Sequence, residues 1–245
     1  TFLLKYKLNK TIFISETQRK QWVSKVGNVF SDYSILYNPI KAVFPTKKQV
    51  QNKVIFGFLG SLEKRKNVSS LISAVHDLIP DFPNVIIELH IAGSGLELEN
   101  LIKLSESLFL GDNVKFIGYV SNIQEFFENI DVLVLPSISE TMPLVVLESI
   151  SSKTPAIVTK NSGLSELLKN KEDCLFFDPL SPFALLDSMK MMMNRDFRHL
   201  LQENGYKKLE EYNFNVTFAK SVKDLLLSIT GNDENLFLIN KSNRL

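Results

Sequence analysis

Two carboxylates, Glu140 and Glu148, stand eight positions apart in the stretch Pro136-Ser137-Ile138-Ser139-Glu140-Thr141-Met142-Pro143-Leu144-Val145-Val146-Leu147-Glu148. A carboxylate accepts two hydrogen bonds at once, so such a pair can recognise the vicinal hydroxyls of a ribose or a hexose. The run over 130–135 is apolar and β-branched, which predicts a strand covered on both faces and ended by Pro136 and Ser137. Pro143 falls where proline is tolerated, in the first turn of a helix over 144–151. A strand feeding a helix through a short polar loop leaves unpaired N–H groups at the carboxyl edge of a parallel sheet, where phosphates bind. Glu140 then belongs to the loop and faces the crevice. Glu148 lies about a turn and a half into the helix with its side chain tilted back, so both reach one ligand. The alternative is a solvated loop acid and an ordinary surface position. Against it, Glu148 interrupts Leu144, Val145, Val146, Leu147 and Ile150, and an acid in so apolar a helix as a rule has a partner.

Other candidates fall at the same edge. After the strand predicted over 54–59 come Gly60 and Glu63-Lys64-Arg65-Lys66-Asn67, opening a helix over 68–78. Cations just before a helix N-terminus are opposed by the helix dipole unless an anion lies between, so the cluster reads as a diphosphate clamp or as a merely solvated triplet. Gly93-Ser94-Gly95 follows a later strand but has Leu98 where a dinucleotide fingerprint needs glycine, which disfavours a nicotinamide-dependent oxidoreductase. Asn161-Ser162-Gly163, with Glu166 beyond, reads alone as a strand-to-helix turn. His76, His90 and His199 have no partner at metal spacing and read as structural. Without an Asp-x-Asp pair, no protein-held metal is expected. There is no Gly-x-Ser-x-Gly elbow for acyl transfer. Met189 and Met191-Met192-Met193 read as core.

These residues need a scaffold, and the composition supplies one. With 245 residues and 44% hydrophobic content the chain can bury a full core. Lys and Arg total 28 against 27 Asp and Glu, a net charge of +1 that leaves no field for a nucleic acid. The single cysteine, Cys174, excludes an internal disulfide framework and fits a reducing compartment. No run approaches the roughly 18 to 20 apolar residues of a membrane span, and the first residues are charged too early for a secretory signal, so a cytoplasmic location is the default. Short strands are predicted over 11–15 and 34–37, with a helix between them over 16–26. Strands follow over 54–59, 85–92, 114–117, 132–136, 156–159 and 174–177, alternating with helices over 68–78, 96–108, 123–129, 144–151 and 164–169. Helices over 182–193, 196–211 and 216–229 close the pattern. Regular alternation means a doubly wound parallel sheet. Residues 41–52 read as a linker and 231–245 as a polar, frayed tail.

The segments Gly60-Ser61-Leu62 through Lys66-Asn67, His90-Ile91-Ala92-Gly93-Ser94-Gly95, Val114-Lys115-Phe116-Ile117-Gly118 and Pro136 through Glu148 resemble the family 4 retaining glycosyltransferases, in order and in spacing. The resemblance covers 15–227, and the Glu-x7-Glu signature followed by Thr154-Pro155-Ala156-Ile157-Val158 is its most specific part. It implies a GT-B fold of two facing Rossmann-like domains, with residues 53–230 as the nucleotide-sugar donor half and 1–40 as the end of the amino-terminal, acceptor-side domain. It also implies a nucleoside diphosphate sugar as donor, a saccharide or lipid-linked acceptor, and no cofactor. Peripheral membrane contact would run through the amino-terminal half. By the same resemblance Lys66 and Glu140 are the catalytic pair: Lys66 neutralises the donor diphosphate and Glu140 touches the transferred sugar. Glu148 holds the ribose hydroxyls, the backbone around Met142, Pro143 and Leu144 adds N–H donors from the residues other than the proline, and Gly60, Ser61, Arg65, Gly93 and Thr141 complete the donor site. The departures are Ser61 for the family's arginine, Thr141 for a glycine, and Ser162 for a second glycine beside Gly163. Losing the arginine removes half of the clamp, which Arg65 or Lys64 would have to replace. A different class also fits: a non-catalytic nucleotide-sugar-binding module completed by a partner chain. The chain reads as a fragment or a truncation, with an apolar face of the final helices left exposed.

Overall fold

The computed structural model describes residues 10–30, 32–40, 52–212 and 214–230. The predicted linker, Asn52 apart, and the predicted tail lie outside the described residues. Strands β1 (Thr11–Phe13) and β2 (Tyr33–Ile35) pair in parallel and are joined by helix α1 (Glu16–Val26). Ser15 starts that helix by accepting the Gln18 N–H on its hydroxyl, and Gly27 ends it with a φ of 81°. This two-stranded unit is separate from the main sheet.

The main sheet is built from β3 (Lys53–Leu59), β4 (Ile86–Ala92), β5 (Val114–Gly118), β6 (Val132–Leu135), β7 (Ala156–Thr159) and β8 (Leu175–Phe177). Between them run α2 (Val68–Leu78), α3 (Leu98–Ser107), α4 (Ile123–Glu128) and α5 (Leu144–Ser151), and α6 (Ala184–Met193), α7 (Arg195–Tyr212) and α8 (Phe214–Thr230) follow. The strand order is β5-β4-β3-β6-β7-β8 and every pair is parallel. Numbered within this domain it is 3-2-1-4-5-6, a doubly wound sheet whose order reverses between β3 and β6. All four residues of β6 and of β7 are buried, as strands covered on both faces must be. In α2 the buried Val68, Leu71, Ile72, Val75 and Leu78 recur at helical spacing and form the stripe that packs on the sheet.

Two helix expectations change. The helix predicted over 164–169 is one 3-10 turn, Gly163–Glu166. It stops because the Lys169 N–H turns to the Asp173 carboxylate at 2.9 Å and the Lys171 N–H to the Cys174 carbonyl at 2.8 Å, starting a new turn instead of a second helical one. Pro143 precedes the first turn of α5 as its N-cap, with φ −72° and ψ 104°. Of the final helices α7 is packed on the domain, whereas no described side chain of α8 is fully buried. Helix α7 buries Leu201, Gly205 and Leu209, while α8 lies along β2 with the Lys10 ammonium 3.4 Å from the Ser228 hydroxyl. Within α8, Leu226 stands exposed.

One polar cluster is built into the sheet itself. Glu88 on β4 is 8% exposed and receives Lys53 of β3 at 2.7 Å, and Lys115 of β5 and His90 at 2.9 Å each. Burial pushes its carboxyl up, but the hydrogen bonds from Lys53, Lys115 and His90 outweigh burial and hold it at about 2 instead of 4.5. The folded state therefore binds the proton less readily than the unfolded chain. The stability so gained is complete above the unfolded value, falls as pH drops from 4.5 toward about 2, and is gone below. At 1.36 kcal/mol per unit this is on the order of 3 kcal/mol. Thermal melts of the wild type and Glu88→Gln down to about pH 3 should show the wild type losing its advantage through that window. A wild type whose melting temperature stays flat there would remove Glu88 as the cause.

Candidate active site

The site sits where the strand order reverses, at the carboxyl ends of β3 and β6. The loop after β3 is wound into a 3-10 turn, Lys64–Lys66, closed by Asn67 at φ 53°. That turn projects Lys66 across to the loop after β6, where its ammonium meets Glu140 Oε1 at 2.6 Å. The Ser137 hydroxyl donates to the same oxygen at 2.6 Å. The Lys66 side chain is 12% exposed and that of Glu140 8%. Glu140 is thus no solvated loop acid. It is a nearly buried carboxylate with two donors on one oxygen, the arrangement that makes a buried ion pair tolerable.

Backbone hydrogen bonds tie the loops of this edge into one frame. The Gly60 N–H donates to the Ala92 carbonyl, the Leu62 N–H to Ser94 and the Gly93 N–H to Gly118, linking the loops after β3, β4 and β5. The Ile138 N–H donates to Arg65, the Glu140 N–H to Asn161 and the Gly163 N–H to Thr141, linking those after β3, β6 and β7. Two glycines allow the approach. A Cβ on Gly93, whose φ is 136°, would stand 1.8 Å from the Gly60 carbonyl oxygen, and one on Gly163 would stand 2.0 Å from that of Thr141. The departures at Thr141 and Ser162 carry no strain. Neither has a positive φ, and Ser162 is extended at φ −125° with its hydroxyl accepting the Leu164 N–H.

The structure does not gather every expected residue. Arg65 turns away from the pair, 56% exposed, and donates to Glu63 at 2.9 Å. Hydrogen bonds from Arg65 and then from Ser61 hold the Glu63 carboxyl below its ordinary value. Neither Arg65 nor Ser61 therefore faces Glu140, and Lys64 borders a separate shallow pocket with Glu63 and Glu97. Of the three cations in this loop, Lys66 is the one that meets Glu140. Met142 and Pro143 are buried, Thr141, Leu144 and Glu148 half-buried. No side chain caps α5, so its first turn presents backbone N–H groups beside the Lys66–Glu140 pair. Sequence reasoning missed Ser137 as a donor. The signal was its spacing, three residues before Glu140 at the end of a buried strand. Among the described residues no group of three or more acidic, histidine or cysteine side chains could hold a metal, and no helix is long and apolar enough to cross a membrane.

The pattern described as "Glycosyl transferases group 1" matches residues 40–208. An uncharacterized glycosyltransferase of Haemophilus influenzae is 26% identical over 208 residues, 83% of this chain and 57% of the relative. The capsular polysaccharide biosynthesis glycosyltransferase CapM of Staphylococcus aureus is 28% identical over 190 residues, covering 76% of this chain and 49% of CapM. Among solved structures, that of Anabaena Alr3699/HepE in complex with UDP aligns with a TM-score of 0.75 at 17% identity, over 87% of this chain and 62% of that one. This chain spans about half the length of the curated relatives it matches. Its six-stranded parallel sheet matches part of a GT-B fold, and the chain belongs to the group 1 family of glycosyl transferases.

Proposed function

We propose that this chain is the donor-binding half of a hexosyltransferase that moves a sugar, with retained configuration, from a nucleoside diphosphate sugar to a saccharide or lipid-linked acceptor. The observation that carries the reading is the nearly buried Lys66–Glu140 pair beside the uncapped start of α5. A diphosphate entering there takes the Lys66 ammonium and the N–H groups of the first turn of α5, reached through Met142 to Leu144. These stabilise the charge that develops on the leaving group without a protein-held metal. Lys66, once on phosphate, releases Glu140 for the hydroxyls of the transferred sugar. Glu148 takes the ribose hydroxyls, and Gly60 and Gly93 let the backbone floor approach the phosphates. The name of the CapM relative supports a role in cell-surface polysaccharide or glycoconjugate synthesis, and the HepE complex supports UDP as the nucleotide. The buried thiol of Cys174 is in keeping with a cytoplasmic site of action, and any membrane contact would run through the amino-terminal half.

Calorimetry with UDP or GDP in the presence of a chelator tests the metal-free site. Binding should persist there. Binding that vanishes with the chelator and returns with magnesium would overturn the clamp as described. The same titration separates the two acids. Glu148→Ala should cost UDP about 1.5 to 3 kcal/mol for each charged hydrogen bond lost, whereas Glu140→Ala should not weaken it, because Glu140 gives up Lys66 to the diphosphate and then serves the sugar, which UDP lacks. Equal losses would refute this division of roles.

A further inference from the structure

Glu166, which the donor chemistry does not use, lies at the junction between the two sheets. Its Oε2 accepts the Glu16 N–H at 2.9 Å and the Tyr37 hydroxyl at 3.2 Å, and its Oε1 accepts the Thr17 N–H and hydroxyl at 2.7 Å each. All four donors belong to the β1–α1–β2 unit or the strand of chain that follows it. The two amides are first-turn donors of α1, which have no acceptor inside their own helix. A carboxylate from the donor domain thus supplies the anionic cap of a helix in the other unit. Ser15, fully buried, adds a second tie, since its hydroxyl donates to the Thr141 carbonyl at 3.2 Å. The same neighbourhood encloses Tyr37, whose phenol is pushed up to about 12 by burial and by the Glu166 charge.

The cap is also rigidly connected to the donor loop. Glu140 and Ser162 are paired as a parallel bridge, the Asn161 amide donates to the Ile138 carbonyl at 3.2 Å, and Gly163 has no room for a Cβ between Thr141 and Ser15. Close-packed contacts of this kind pass a displacement on instead of absorbing it. A diphosphate that draws Lys66 off Glu140 acts on one end of this unit, and Glu166 stands at the other.

We propose that Glu166 is a positioning residue that couples occupancy of the donor site to the seating of the β1–α1–β2 unit over it. The proposal rests on the donor-site reading above, and the following experiment distinguishes the failure of one from that of the other. UDP affinity is measured by calorimetry, and amide hydrogen exchange by NMR, on the full 245-residue chain and on its Glu166→Ala and Glu166→Gln variants. Exchange is read at residues 19–26, whose amides donate within α1 or to its cap and never to Glu166. In the wild type, saturating UDP should slow these amides about fivefold or more. In both variants UDP should bind within about threefold of wild-type affinity while that protection is lost. UDP that binds the wild type without slowing these amides overturns the coupling alone. Equal protection in wild type and variants overturns the role of Glu166. A wild type that does not bind UDP removes the donor site and the coupling together. Should the alanine variant fail to fold, the glutamine variant, which keeps the shape and one acceptor, carries the comparison.

Discussion

Lys66→Met should reduce UDP affinity by about one to two orders of magnitude, because a charged hydrogen bond to phosphate is worth roughly 1.5 to 3 kcal/mol and Lys66 is the cation of the proposed clamp. The variant should also be less stable. Removing one member of a buried ion pair leaves the other uncompensated, which costs about 3 to 5 kcal/mol when burial is complete. Here the partners are 12% and 8% exposed, so the low end of that range applies. The Ser137 hydroxyl still serves Glu140 and lessens the loss further. The double variant Lys66→Met/Glu140→Gln separates the two effects. It should recover much of the melting temperature, since no lone charge remains buried, and recover none of the UDP affinity. If the single variant melts and binds like the wild type, the ion pair is incidental. If the double variant regains UDP binding, the anion is held elsewhere, with the exposed Arg65 the first residue to examine.

The polypeptide of residues 1–245 should bind donor yet transfer sugar at least about a hundredfold more slowly than one extended by an amino-terminal half like that of its relatives. Retaining transfer needs the acceptor hydroxyl held against the anomeric carbon with water excluded, and two facing domains do both when the cleft closes. The described residues furnish the six-stranded domain proposed to bind the donor and, separate from its sheet, a two-stranded sheet with one helix. The chain spans about half the length of the curated relatives it matches. Transfer from a radiolabelled nucleotide sugar, measured on both polypeptides with equal donor affinity established first, is the comparison to make. Equal turnover would mean that the acceptor site lies within the residues described here. Transfer by neither, with donor bound by both, would favour a binding module over an enzyme.

The sequence by itself determined the elements and their class. Apolar runs such as Val132–Leu135 can be satisfied only as strands covered on both faces, and the spacing of Val68, Leu71, Ile72, Val75 and Leu78 only as one face of a helix. These are local periodicities, so α1, α2, α5 and β7 were legible to the residue, whereas the helix expected over 164–169 was cut short by Asp173 and Cys174, whose pull no periodicity records. The two acids and the lysine were legible as types at a spacing, because phosphate and vicinal hydroxyls demand them. Their union was not. Lys66 and Glu140 are 74 residues apart, and only the pairing of β3 with β6 brings their loops together. The same holds for Glu88, which receives Lys53 and Lys115 from the strands on either side of its own, whereas Arg65 is claimed locally by Glu63, two residues away. Glu166 looked like part of a plain turn because its four donors lie 129 to 150 residues distant. A residue's local preference is set by its neighbours in the chain. The partner of a buried charge is set by strand order and loop packing, which exist only once the sheet has formed.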